Sequence, residues 1–158
     1  MVKCITLEYP DGSIATRGGL GPRMLARFNG DRDAALNYIL SELVPAHNPD
    51  AVARIEDVTF PTNRFFRMAW KRGIGKIDVD MPKARIIKTN LVRAERDTRL
   101  ATEDIELMKA EEGGNVGEAT QIKAKKQALR DLPTTIQPDL EAIMTPEALE
   151  AYEPAWPA

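Results

Sequence analysis

The chain has 158 residues, of which 43 % are apolar, 29 % charged and 6 % aromatic, with a formal net charge of −2. That suffices for one domain, or one small domain plus an extension, with a modest core and much solvated helix surface. The near-neutral balance excludes a general attraction to nucleic acid, no apolar run approaches the roughly 18 residues of a membrane span, and the single Cys4 has no internal disulfide partner, which fits a reducing compartment.

The opening MVKCITLEYPDG has one Lys and no long apolar stretch, so it does not read as a signal peptide. Residues 3–17 read as a β-hairpin turning at Pro10-Asp11-Gly12, with Ile5, Leu7 and Ile14 on a buried face. A lone hairpin is marginal in water, so it has to pack on something or gain another strand. Gly18 to Pro22 reads as a flexible connector; a phosphate-cradling loop with Arg17 and Arg23 lacks the required spacing.

From Asp31 the pattern turns helical, with Asp31 or Asp33 as cap and an apolar stripe of Leu36, Ile39, Leu40 and Leu43 that ends at Pro45. His47, the one histidine, falls in a loop, and residues 51–58 alternate well enough for a short strand. RFFRMAWKRG then reads as a short helix ending at Gly73. Its Phe65, Phe66 and Trp70, interleaved with Arg64, Arg67, Lys71 and Arg72, suit either a nucleic-acid platform or an aromatic core anchor under snorkelling cations. The anchor is the simpler account of three clustered aromatics. Residues 74–79 are extended, and Asp80 reads as a helix N-cap ahead of Pro82 rather than as half of a metal-binding pair with Asp78.

Residues 80–132 read as a helical hairpin: a long helix from Met81 to about Glu112, a break at Gly113-Gly114, and a return helix from Asn115 to Leu132. Ala84, Ile87, Leu91, Ala94, Thr98, Ala101, Ile105 and Met108 recur at spacings of three and four, and this row is expected to be the packed seam. The arms are about 48 Å and 27 Å long, so the return arm covers only the second half of the long one. Ala84, Ile87 and Leu91 then need cover from residues 64–71, the tail or another protein. Residues 83–99 are mainly basic, 103–112 mainly acidic, and Lys123, Lys125, Lys126 and Arg130 make the return arm basic, a pattern that fixes an antiparallel register. The basic first half opposes the helix macrodipole, and the acidic residues 139–153 are its possible internal partner. The tail, residues 133–158, is Pro-rich; Thr145-Pro146-Glu147 starts a short helix that turns Leu149 and Tyr152 inward, and Trp156 is either an anchor on the body or a group offered to a partner.

The succession FRMAW, DMPKAR, RAERDTRL, an acidic segment, KKQALRDLP, TPEAL and AWP resembles a widespread set of small bacteriophage and prophage tail-region proteins. KQALRDLP and the closing WP are also similar to the C-terminal part of phage tail-fibre assembly proteins, the tail assembly chaperones. The resemblance covers about residues 54–158 and leaves the N-terminal hairpin outside. It implies a non-enzymatic virion component or assembly factor that attaches to, or helps fold, a phage tail or tail fibre, located in the virion tail or in the host cytoplasm during assembly. It carries no catalytic residues to transfer. The N-terminal part is longer than the compact chaperone pattern, which favours a stable virion component.

The expectation is therefore an α+β protein: a small α+β domain (1–79), a long helical hairpin (80–132) and a Pro-rich tail (133–158). Candidate protein-binding residues are Phe65, Phe66, Trp70, Ile87, Leu91, Arg93, Arg96 and Trp156. The expected partner is a tail or tail-fibre protein, or a second copy in a symmetric assembly; no cofactor, metal or membrane is expected. The alternative is a phage regulator that binds nucleic acid through segment 64–99. An enzyme is the third reading, with Glu56, Asp78 and Asp80 as the carboxylates to mutate.

Overall fold

Alternation over the opening residues produces β1 (Val2–Glu8), and the Tyr9–Ser13 turn returns the chain as β2 (Ile14–Arg17). The computed structural model describes residues 1–158, and the chain is α+β, divided into two units, Met1–Asp80 and Met81–Ala158. In the first unit β3 (Val52–Val58) completes the hairpin on its other side, giving an antiparallel sheet of order β2-β1-β3.

Both faces of β1 are buried, where the sequence pattern anticipates one. On one face Ile5 and Leu7 pack with Leu36, Ile39 and Val44. Those residues come from α2 (Arg32–Tyr38), a π-helical turn (Ile39–Leu43) and α3 (Val44–His47). Ile14 lies opposite Glu8 in the ladder, so it shares the other face with Cys4, Thr6 and Glu8 rather than joining Ile5 and Leu7. That second face carries β4 (Trp70–Arg72) and β5 (Ile77–Val79), a two-stranded ribbon whose Arg72 reaches Thr6, Glu8 and Glu56.

Several elements depart from the sequence reading. Gly18 is not merely a flexible connector: a Cβ there would lie 2.7 Å from that of Cys4, so the close approach of the chain to β1 requires glycine. The chain next forms α1 (Pro22–Arg27), which the apolar pattern does not announce. Asp31 caps α2, its side chain accepting from the Ala34 amide. The helix does not stop at Pro45. The π turn shifts the hydrogen-bonding pattern, and Pro45 falls in the first turn of α3, where its missing N–H costs little. His47 is consequently at an exposed helix end rather than in a loop. Residues 64–73 are not one helix: a single 3-10 turn (Arg67–Ala69) gives way to β4, because Trp70 pairs with Val79 and Arg72 with Ile77 in the ribbon.

The second unit begins with α4 (Met81–Glu112). Gly114, at φ 69°, takes the left-handed conformation that ends it. Asn115 then caps α5 (Val116–Thr135), its side chain accepting from the Glu118 amide at 3.2 Å and donating to the Glu118 carboxylate at 2.7 Å. The charge register holds across the hairpin: Lys126 pairs with Asp104, Lys125 with Glu103 at 2.9 Å and Lys123 with Glu111 at 2.7 Å. The return arm runs past Leu132 through Pro133 and continues as α6 (Gln137–Ala142); Thr145 then caps α7 (Pro146–Ala151), which buries Leu149.

The packed seam of α4 is not the expected one. Ala84, Lys88, Thr89, Val92 and Ala110 are buried and Arg96, Leu100, Glu103 and Leu107 half-buried. In the expected row only Ala84 is buried; Leu91 is 46 % exposed, Ile105 52 % and Met108 55 %. The reason is that long charged side chains supply much of the packed flank. The Lys88 stem is buried while its ammonium reaches a carbonyl, and the Lys126 stem is buried while its ammonium reaches Asp104. An apolar count reads such positions as surface.

Candidate protein-binding site

The eight candidate residues fall into two groups. In the first unit Phe66 and Trp70 are core residues, and only Phe65, 47 % exposed, shows a ring to solvent. Phe65 packs edge-on against Phe66 with centroids 4.8 Å apart, and Trp70 lies 5.6 Å from Phe60. The geometry is that of an anchor, and two of the three rings are unavailable for base stacking. Trp70 Nε1 is buried with no acceptor in the protein.

In the second unit the tail covers the N-terminal half of α4. Arg85 donates through Nε to the Leu140 carbonyl at 2.9 Å and through Nη2 to those of Glu141 (3.1 Å) and Ile143 (2.8 Å). Lys88 Nζ donates to the Glu150 carbonyl at 2.9 Å. These acceptors lie at the C-terminal ends of α6 and α7, where unpaired carbonyls and the helix dipole concentrate negative charge. The basic half of α4 therefore clasps the tail mainly through backbone carbonyls, where the sequence pattern suggests carboxylates. Arg99, ion-paired to Glu95 at 3.0 Å, stacks over the Trp156 ring at 4.2 Å. Tyr152 donates to Asp139 at 3.1 Å, and burial together with that carboxylate pushes its phenol up.

Leu91 and Trp156 thus border the same groove of about 260 Å³, with Lys88 and Arg99. Arg93 borders a different one, of about 410 Å³, beside Arg85, Ile86 and Gln137. Ile87 is half-buried. Arg96 is held by its neighbour Asp97 at 2.7 and 3.0 Å, and Arg93 by Asn90 at 3.2 Å. Sequence reasoning did not single out Arg85, Lys88 and Arg99 as the clasp. The available signal was a run of cations at the N-terminal half of a helix, where they oppose its dipole unless something compensates them.

The three carboxylates of the enzyme reading are all engaged. Glu56 accepts from Thr6 and pairs with Arg72 at 2.8 Å. Burial raises the Glu56 carboxyl, but those hydrogen bonds and the nearby guanidinium outweigh it and hold it below the usual glutamate range. Asp78 pairs with Lys76 at 3.0 Å, and that hydrogen bond with the Val79 amide holds its carboxyl low. Asp80 pairs with Lys71 at 3.7 Å. Burial, with Glu56 nearby, pushes the Cys4 thiol up, away from the reactive thiolate. No helix is long and apolar enough to cross a membrane. Comparisons with protein-family models, curated proteins and solved structures find no match.

Proposed function

We propose that this is a non-enzymatic bacteriophage tail protein, a virion component or assembly factor that attaches to the tail or tail fibre through the outer face of α4. The observation that carries the reading is the row Leu91, Ala94, Thr98, Ala101, Ile105 and Met108. It repeats at heptad spacing and stays exposed after α5 and the tail have packed, Leu91 alone bordering the tail groove beside Trp156. A second apolar row on an already packed helix is a seat for another helix, with knobs at a and d positions. The occupant we assign is an amphipathic helix of a tail or tail-fibre protein. The partner's class rests on the resemblance of segments such as KKQALRDLP and TPEAL to phage tail-region proteins. The nucleic-acid alternative is weaker, because Arg85, Lys88 and Arg99 are committed to the tail and Phe66 and Trp70 are buried.

The test is co-assembly of the tail with Ile105→Asp/Met108→Asp, which places charges on the outer row without touching the packed flank. The variant should keep its helix content and fail to join the tail or its fibre. A variant that joins as the native chain does would refute the docking face. Mass spectrometry of purified virions separates the two forms of the proposal: absence of the chain removes the virion component and leaves the assembly factor.

A further inference from the structure

The first unit carries a second surface of different chemistry. β2 pairs with β1 alone, so its outer edge presents unpaired backbone N–H and C=O groups. Beside that edge runs the segment 64–70, and between them lies a groove of about 350 Å³. Ala15 and Thr16 line it from the strand, and Arg64, Arg67, Met68 and Trp70 from the opposite side.

The lining contains two guanidinium groups and no carboxylate. Five of the eleven cations of this unit are ion-paired: Lys3 with Asp33, Arg54 with Glu8, Lys71 with Asp80, Arg72 with Glu56, and Lys76 with Asp78. Arg64 instead lies over the Phe60 ring at 5.5 Å, and Arg67 is exposed without an acidic partner. Met68, 76 % exposed, adds an adaptable apolar contact to the same wall.

We infer that this groove binds an extended acidic peptide segment of a protein partner, which adds to β2 as a further strand and sets its carboxylates against Arg64 and Arg67. Three features select this occupant. An open strand edge supplies backbone hydrogen bonds at strand spacing, which a peptide matches and a nucleic-acid backbone does not. Alternate residues of an added strand point the same way about 6.7 Å apart, so acidic residues at every second position face one wall. The Phe66 and Trp70 rings are buried, so single-stranded nucleic acid would find cations here without a stacking platform. The inference is independent of the docking face on α4 and concerns residues of the other unit.

The experiment titrates the isotope-labelled full chain with a capped peptide of alternating Val and Glu, and separately with oligodeoxythymidine, following backbone amides by NMR. The peptide should shift the amides of Ile14–Arg17 and the indole N–H of Trp70. Arg64→Glu/Arg67→Glu, two exposed positions that leave the fold intact, should weaken binding about tenfold or more. A Val and Gln peptide should bind as weakly as the Val and Glu peptide binds the charge-reversed variant. Unmoved β2 amides at millimolar peptide would overturn the inference. So would equal affinity for the charge-reversed variant, or a response of these amides to oligodeoxythymidine in place of the peptide.

Discussion

Two adjacent residues of α4 test which of its faces is packed. Val92 is 3 % exposed and Leu91 is 46 % exposed. Val92→Asp removes nearly the whole burial of a valine, about 2 kcal/mol, and sets a carboxylate at the buried floor of the groove that Leu91 also borders, at a further cost of about 2 kcal/mol. The total is about 4 kcal/mol or more. Leu91→Asp loses only about half of a leucine's burial, roughly 1.3 kcal/mol, plus about 0.5 kcal/mol of helix propensity. Its carboxylate stays wet at the rim of a groove whose lining mixes Lys88 and Arg99 with Glu95 and Glu153. The measurement is urea denaturation followed by circular dichroism at constant slope, which gives the two losses on one scale. A Val92→Asp loss at least twice that of Leu91→Asp is expected. Equal losses, or a larger loss at Leu91, would show that the apolar row is the packed seam and would remove the outer face on which the proposed function rests.

The clasp gives a second expectation. Arg85→Met keeps the stem and deletes three hydrogen bonds to tail carbonyls, two of them part-buried, worth about 2–3 kcal/mol together. Amide exchange at Leu140 and Leu149, both fully buried and hydrogen-bonded, should accelerate by about 30- to 150-fold, while α5 near Ile122 is unchanged. Unaltered exchange at both amides would mean the guanidinium does not hold the tail. A third expectation concerns acid stability. The Glu56 carboxyl is held below its ordinary value of 4.5, so its stabilisation is complete above that pH and is lost as the pH falls through its folded value. Glu56→Gln should cost about 1–2 kcal/mol at pH 7 and flatten the decline of stability below about pH 4.5. Asp78, also held low, keeps part of the slope in the variant. A decline as steep as in the native chain would assign the acid sensitivity to other groups.

Along α4 the sequence announces an apolar face without settling whether that face is covered. The heptad row was legible, and it exists; its direction was not. Periodicity reports that a face is apolar, and two faces of this helix have claims on being covered. The packed flank includes Lys88, Arg96 and Glu103, whose charged ends find a carbonyl, Asp97 and Lys125 while their stems fill space. Such residues are indistinguishable in sequence from solvated ones. The same limit applies to the aromatic segment. Its grouping was visible, but whether Phe65 or Phe66 turns inward depended on a strand pairing between Trp70 and Val79.

The sequence by itself determined what depends on neighbours in the chain. The Pro10-Asp11-Gly12 turn, the Asp31, Asn115 and Thr145 caps, the glycine break and the charge register of the hairpin all follow from residues a few positions apart or from complementary blocks. Only the tertiary structure decided which surfaces remain free. The tail returns to α4 across more than fifty positions, with Arg85 meeting Leu140 and Lys88 meeting Glu150. The ribbon likewise closes the second face of β1 through Arg72 and Thr6, 66 positions apart. Burial of a face depends on whatever distant segment fits it, and no local pattern encodes that segment's arrival.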